Sequence, residues 1–364
     1  MSILSAVFGF SLACLVCLGL TPLVARLAIL DGLRSSTPRR SGLTPEARPR
    51  IGGLAIYGAV VFTLLCSAFA FPALQKPAAT RFLSGVILSG GLVVILGLID
   101  DLQESLPWKK LITQTLAVLV LQFYMDVLGL AMALDPWLHL VVAAMLLLWM
   151  LGLSNAMNLI DGLDGLAASI AALIGLGMAV VALALHLPLA ALTAAVISGA
   201  SFAFLRKNAP PASIIMGDTG SMFTGFALAA VGVAIFGARP SARTLLGLLL
   251  ISWVPVLDTI YAVLRRWARR SSIFRGDLGH LHHRLLDAGF SQKSAGLSLS
   301  ALTLLGAVTG AAVILGRHAL LFTTALLLAT FLLVWIVLPH LFSRLDESSA
   351  KSRRVDAVSH DKAA

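Results

Sequence analysis

Hydrophobic residues fall in long unbroken blocks along this chain, and polar residues gather in the gaps between them. Runs of about 18–25 apolar residues are long enough to cross a bilayer as helices. Eleven such runs are legible, at roughly 3–25, 51–71, 82–99, 111–131, 137–154, 166–186, 188–205, 221–238, 244–263, 297–316 and 319–339. Inside lipid each backbone N–H and C=O has to be satisfied within its own segment, so these runs are predicted as helices and not as strands. The first has no basic residue ahead of it and many spans after it, which reads as a retained helix rather than a cleaved signal peptide. The echo between GLIDDL and NLIDGL is too short to argue an internal repeat. The pattern predicts an all-α polytopic membrane protein: one transmembrane domain over 1–342, then a polar tail over 343–364 predicted to be disordered.

Composition agrees with the pattern. The chain is 59% hydrophobic and 12% charged, against about 45–50% and 25% in soluble domains. Its net charge of +10 raises the question of a nucleic-acid partner. The placement of the charges answers it. When the predicted loops are assigned alternately to the two sides, 22 of the 27 Lys and Arg fall on one side and 5 on the other. The positive-inside rule then puts the N-terminus outside and the C-terminus in the cytoplasm. The basic excess is topology, and no nucleic acid is expected. Cys14, Cys17 and Cys66 all lie in apolar runs. The CxxC spacing of the first two has no further Cys or His pair to complete a redox or metal site, so packing is the reading.

With that orientation the carboxylates can be placed. Of 17 acidic residues only Asp126 and Asp135 fall in outside loops. GLIDDL (97–102), NLIDGLDG (158–165), MGDTGS (216–221) and Asp258 all fall at cytoplasmic ends of predicted spans, although they come from distant parts of the chain. An ionisable group at the centre of a membrane helix costs about 2.5–3.5 kcal/mol. Each Asp taken alone reads equally well as a helix cap. Asp100, Asp101, Asp161, Asp164 and Asp218 taken together point to one shared site. Clustered hard oxygens suit Mg²⁺, which binds through one or two carboxylates, water and substrate phosphates. Steps of three place Asn155, Asn158, Asp161 and Asp164 near one helix face, and Gly162 and Gly165 leave room for close approach. The neighbours Asp100 and Asp101 would project about 100° apart, one for metal and one for a proton or phosphate.

The loop over 265–296 supplies the opposite charge. In a helix, His280, His283 and Arg284 would aim together at i, i+3 and i+4, while His282 would point elsewhere. A zinc site, a solvated basic loop and a phosphate clamp all compete here. Zinc wants three or four N or S ligands, and no further partner is evident. A basic loop facing a carboxylate cluster favours an anionic substrate. Arg34, Arg48 and Arg50, next to the Gly52–Gly53 pair, point the same way.

Taken in order, RPRIGGLAIYG (48–58), GLIDDL with Lys110, Leu111 and Gln114, NAMNLIDGLDGLA, MGDTGSMFTGF, VPVLDT with Arg265–Arg266, and GHLHHRLLDAGFSQ resemble one family. It is the polyprenyl-phosphate N-acetylhexosamine-1-phosphate transferases, and the likeness spans about residues 3–342. The resemblance implies that a lipid phosphate attacks the β-phosphorus of a UDP-N-acetylhexosamine and that UMP leaves. It implies Mg²⁺ (with Mn²⁺ as a substitute) at Asn158 and Asp218, and Asp100 and Asp101 as the catalytic pair, their division of labour open. It implies substrate contacts from Asp161, Asp164, His280, His282, His283, Arg284 and Arg50. The implied setting is the bacterial inner membrane, with membrane lipids around the chain, undecaprenyl phosphate as acceptor, and the active site at the cytoplasmic face. A homodimer is among the open oligomeric states. GlcNAc is the leading sugar, with GalNAc or a deoxy-amino sugar next, in O-antigen, common-antigen or other envelope polysaccharide synthesis.

One segment departs from the family pattern. Arg34-Ser35-Ser36 is followed by Thr37 where relatives carry a His, and a TPTMGG-like segment is absent. Both features pull the likeness away from the peptidoglycan branch. Two other classes fit less well. A transporter would place its carboxylates near the midplane, and a CDP-alcohol phosphotransferase would need an Arg and further Asp residues after DGLDGLA.

Overall fold

The computed structural model describes residues 2–30, 48–103, 106–125, 136–270 and 279–317. These residues form α1 (Ser2–Leu30), α2 (Gly53–Ala70), a 3-10 turn (Pro72–Gln75), α3 (Pro77–Leu102), α4 (Pro107–Met125), α5 (Pro136–Ile160) and α6 (Leu166–Ala184). They continue with α7 (Pro188–Asn208), α8 (Gly217–Ala238), α9 (Ala242–Ile251), α10 (Trp253–Ala268), α11 (Leu281–Asp287) and α12 (Gln292–Ile314). Pro77, Pro107, Pro136 and Pro188 each open a helix. At that position the missing N–H has no partner to lose and the fixed φ is already helical.

The bundle is organised around α8. Every residue from Thr219 to Val233 is buried, and a helix apolar on all sides belongs in a core. It packs against α3, α5, α2, α6 and α7. Small residues allow the approach: a Cβ on Gly225 would meet the Leu153 carbonyl oxygen of α5 at 2.5 Å. The same device joins α1 to α7, where Gly199 lies against the backbone of Phe10 and Cys14 Sγ donates to the Gly199 carbonyl at 3.1 Å. Helices in lipid gain little from apolar burial against one another, so close backbone packing of this kind carries their association. Cys14 thus acts as a packing residue.

Among the described residues, eight helices are long and apolar enough to span a membrane, and the α9–α10 pair makes a ninth if counted as one. The predicted run 319–339 and the tail 343–364 lie outside the described residues. Helix α4 falls short of that standard over Pro107–Met125, and residues 126–131 of its predicted run are also outside. The predicted straight span 244–263 is corrected: α9 and α10 meet at 87°. Pro255 explains the break, because it cannot donate to the Ile251 carbonyl and its ring clashes with it. At the break Ser252 turns back on α9, its Oγ donating to the Leu248 carbonyl at 2.7 Å.

Candidate active site

Three elements meet at one end of the bundle almost backbone to backbone. The strap at 49–53 pairs with residues 215–216. Ile215 N donates to the Pro49 carbonyl at 2.8 Å, Gly52 N to the Ile215 carbonyl at 3.0 Å, and Gly53 N to the Met216 carbonyl at 2.9 Å. A Cβ on Gly53 would fall on the backbone of Gly220, and one on Gly97 would reach the Thr219 backbone at 2.5 Å. Gly217 has φ +72°, and a Cβ there would fall on the Arg50 carbonyl oxygen. This junction brings together the start of α2, the end of α3 and the start of α8.

The Lys110 ammonium, in the first turn of α4, bridges two carboxylates. Its Nζ lies 2.5 Å from Asp100 Oδ2 and 2.8 Å from Asp218 Oδ2. Burial works against that charge, but Asp218 and Asp100 outweigh it and raise the Lys110 pKa above its ordinary value. Asn158, near the end of α5, stands beside the same group: its Nδ2 reaches Ser221 Oγ, one turn on from Asp218, at 3.4 Å. Asp100, Asn158 and Asp218 are therefore brought together.

Asp101 faces away from them. Its Oδ1 accepts from Asp218 N at 2.9 Å, and its Oδ2 accepts from Thr219 N at 2.9 Å and Thr219 Oγ1 at 2.6 Å. It caps α8 from another helix, filling the role that an N-cap side chain usually fills locally. That cap lets α8 start at Gly217, four residues before the predicted 221. Arg50 adjoins the junction through its carbonyl, and its buried Nε has no hydrogen-bond partner among the described residues.

The single-face reading of Asn155, Asn158, Asp161 and Asp164 is corrected. Helix α5 runs past the predicted 154 and ends at Ile160, so Asp161 and Asp164 sit in the turn that follows. Asp164 Oδ2 accepts from Arg48 Nη1 at 3.0 Å and from Ala212 N at 3.1 Å, latching three segments together. Asp161 N donates to the Asn158 carbonyl at 3.3 Å. Asn155 points into the bundle, donating to Gln114 Oε1 at 3.0 Å and to the Leu151 carbonyl at 2.8 Å. Gln114 in turn donates to Ser154 Oγ at 3.2 Å, and Ser154 to the Met222 carbonyl at 3.0 Å.

The histidines also depart from the helical expectation. His280 precedes α11 with extended backbone, so helical spacing does not set its direction. Its ring stacks on His282 at 5.8 Å with 3° between planes, and His282 lies 4.3 Å from His283. His282, expected to point elsewhere, is buried and packs over Gly162, occupying the space a Cβ would take. Arg284 leaves the group instead: Nη2 donates to Tyr261 Oη at 2.5 Å and the guanidinium lies over the Tyr261 ring at 4.6 Å.

Residues 83–236 match the family described as glycosyl transferase family 4. A Bacillus subtilis protein named a probable undecaprenyl-phosphate N-acetylglucosaminyl 1-phosphate transferase is 32% identical over 307 residues, 83% of this chain and 82% of the relative. The chain belongs to glycosyl transferase family 4. A decaprenyl-phosphate N-acetylglucosaminephosphotransferase of Mycolicibacterium smegmatis is 33% identical over 71% of this chain and 70% of its own. A phospho-N-acetylmuramoyl-pentapeptide-transferase of Desulforudis audaxviator is 30% identical over 80% of this chain and 91% of its own.

The donor set of this family 4 transferase suits a hard cation. The spot between Asp100 and Asp218 already accommodates a positive charge, that of Lys110. Among the described residues no three His, Cys, Asp or Glu form a metal-ligating group. A cation held by Asp100, Asp218 and the Asn158 amide would take the rest of its shell from water and phosphates, which is the habit of Mg²⁺ and not of zinc. Lys110 is the member of the bridge to which the residue pattern alone assigns no role; its signal is a lysine at the head of an apolar helix.

Proposed function

We propose that this chain transfers N-acetylhexosamine-1-phosphate, GlcNAc-1-phosphate foremost, from a UDP-sugar to undecaprenyl phosphate. The observation that carries the reading is the Asp100–Lys110–Asp218 bridge beside Asn158, set where glycines let three backbones converge. In the reaction an oxygen of the lipid phosphate forms a bond to the β-phosphorus of the donor. The bond from that phosphorus to the bridging oxygen breaks, and UMP leaves with the electron pair. Mg²⁺, when bound, supplies charge neutralisation between two anions that would otherwise repel.

The chain's own residues divide the remaining work. Asp100 and Asp218 orient the cationic centre, with Asn158 beside Asp218. Lys110 adds fixed positive charge. Asp101 holds the first turn of α8, and therefore Asp218, in place. Arg50, His282 and His283 supply donors for the diphosphate, with His280 stacked beside them. A phosphate monoester with a second pKa near 6 is largely dianionic at neutral pH, so attack needs no strong base.

The charge asymmetry of the loops supports a cytoplasmic site in a bacterial inner membrane, with the N-terminus outside. The pathway would be the first membrane step of an envelope polysaccharide, such as O-antigen or common antigen. The fate of the β-phosphate tests the chemistry. With UDP-GlcNAc labelled at the β-phosphorus, the label should pass into the lipid extract. Label left in water-soluble monophosphate, or released as inorganic phosphate, would mean hydrolysis instead of transfer.

A further inference from the structure

The described structure contains a second carboxylate site, separate from the Asp100–Lys110–Asp218 bridge. Asp258 sits in the middle of α10 and is 1% exposed. Its Oδ1 accepts from Leu281 N at 2.7 Å, and its Oδ2 lies 2.7 Å from His280 Nδ1. A carboxylate that accepts on both oxygens leaves Nδ1 as the donor, so the ring proton is on Nδ1 and Nε2 is directed away from Asp258.

The rest of the same helix face docks the segment. Arg265 Nη1 donates to the Gly279 carbonyl at 2.9 Å, and Tyr261 lies between the Arg265 and Arg284 guanidinium groups at 4.8 and 4.6 Å. Asp258, Tyr261 and Arg265 fall at i, i+3 and i+7 and so share one side of α10. His280 then stacks on His282, and His282 rests on Gly162 in the turn after Asn158 and Asp161. A continuous line of contacts thus runs from Asp258 to the edge of the proposed site.

We propose that Asp258 is a positioning residue that acts through His280: it fixes the imidazole with Nδ1–H held on the carboxylate, so that Nε2 is left as a bare acceptor for an N–H or O–H of the sugar donor. Burial of both groups makes the arrangement rigid. A ring held only by packing would be free to take either tautomer, and the Nε2–H form would present a donor where an acceptor is needed. The kinetic part of this inference rests on the proposed transfer reaction; the ring state does not.

The test uses full-length protein in detergent, labelled with ¹⁵N-histidine, with His280→Gln identifying the His280 signals. In the wild type, His280 Nδ1 should be protonated. In Asp258→Asn, the amide oxygen still accepts from Leu281 N while its NH₂ donates to His280, which moves the ring proton to Nε2. There kcat/KM for the UDP-sugar should fall roughly 10–100-fold. Adding His280→Gln to Asp258→Asn should cost no more than His280→Gln alone, and Asp258→Glu should keep the Nδ1 proton and more activity than Asp258→Asn. A bare Nδ1 in wild-type His280, unchanged kinetics in Asp258→Asn, or additive losses in the double variant would overturn the inference. If Asp258→Asn does not fold, the wild-type spectrum and Asp258→Glu still decide it. A wild type that releases no UMP would sink the reaction while leaving the ring assignment standing or falling on its own spectrum.

Discussion

Asp100 and Asp101 are adjacent in sequence, yet one meets Lys110 and the other caps α8. Their mutants should therefore differ in kind. Asp100→Ala and Asp218→Ala should each lower lipid-dependent UMP release by roughly 100- to 1,000-fold while melting within a few degrees of wild type. Asp101→Ala removes the acceptor for three donors at a buried helix start, which costs about 1–3 kcal/mol. It should lower the melting temperature in detergent as well as activity, and an unchanged melt would contradict the capping role. At this scale the sequence was informative about which residues gather and less so about which way each one faces. GLIDDL, NLIDGL and MGDTGS announce carboxylates at one membrane face. The partners that claim Asp101 and Asp164 are Thr219, Arg48 and a backbone amide at Ala212, all distant in the chain, and no local spacing encodes them.

At the scale of elements, the site depends on loops being pinned to helix ends. Asp164 ties the strap before α2 to the segment before α8, and its side chain and that of Arg48 are only 9% and 11% exposed. Asp164→Ala strands that guanidinium, and breaking so buried a pair costs about 3 kcal/mol. The variant should melt several degrees lower, with a kcat loss smaller than that of Asp218→Ala. A loss as large as Asp218→Ala at unchanged melting would instead mark Asp164 as a substrate contact. Helix positions were legible because apolar runs are long and Pro opens four of the helices. Two features were not. Pro255 lies inside an apolar stretch whose hydropathy reads as continuous, yet the helix breaks there by 87°. Asn155 and Asn158 extend α5 because Gln114 and Ser221 satisfy them, a tertiary effect that polarity along the chain conceals.

For the whole molecule, orientation matters as much as chemistry. Lys207, at the end of α7, and Arg239, after α8, are both exposed and belong to opposite sides of the predicted topology. In a background lacking Cys14, Cys17 and Cys66, a cysteine at 207 should react with an impermeant maleimide only in inside-out vesicles, and one at 239 only in right-side-out vesicles. The reverse pattern would move the site to the outer face and deny it a cytoplasmic UDP-sugar. The measurement that bears most directly on the central claim is UMP release by the purified full-length protein. It would be followed with undecaprenyl phosphate, Mg²⁺ and a panel of UDP-N-acetylhexosamines. The account predicts UMP from at least one donor, dependent on the lipid and abolished in Asp218→Ala. No UMP from any donor, with lipid and metal verified, or equal release by Asp218→Ala, would contradict it.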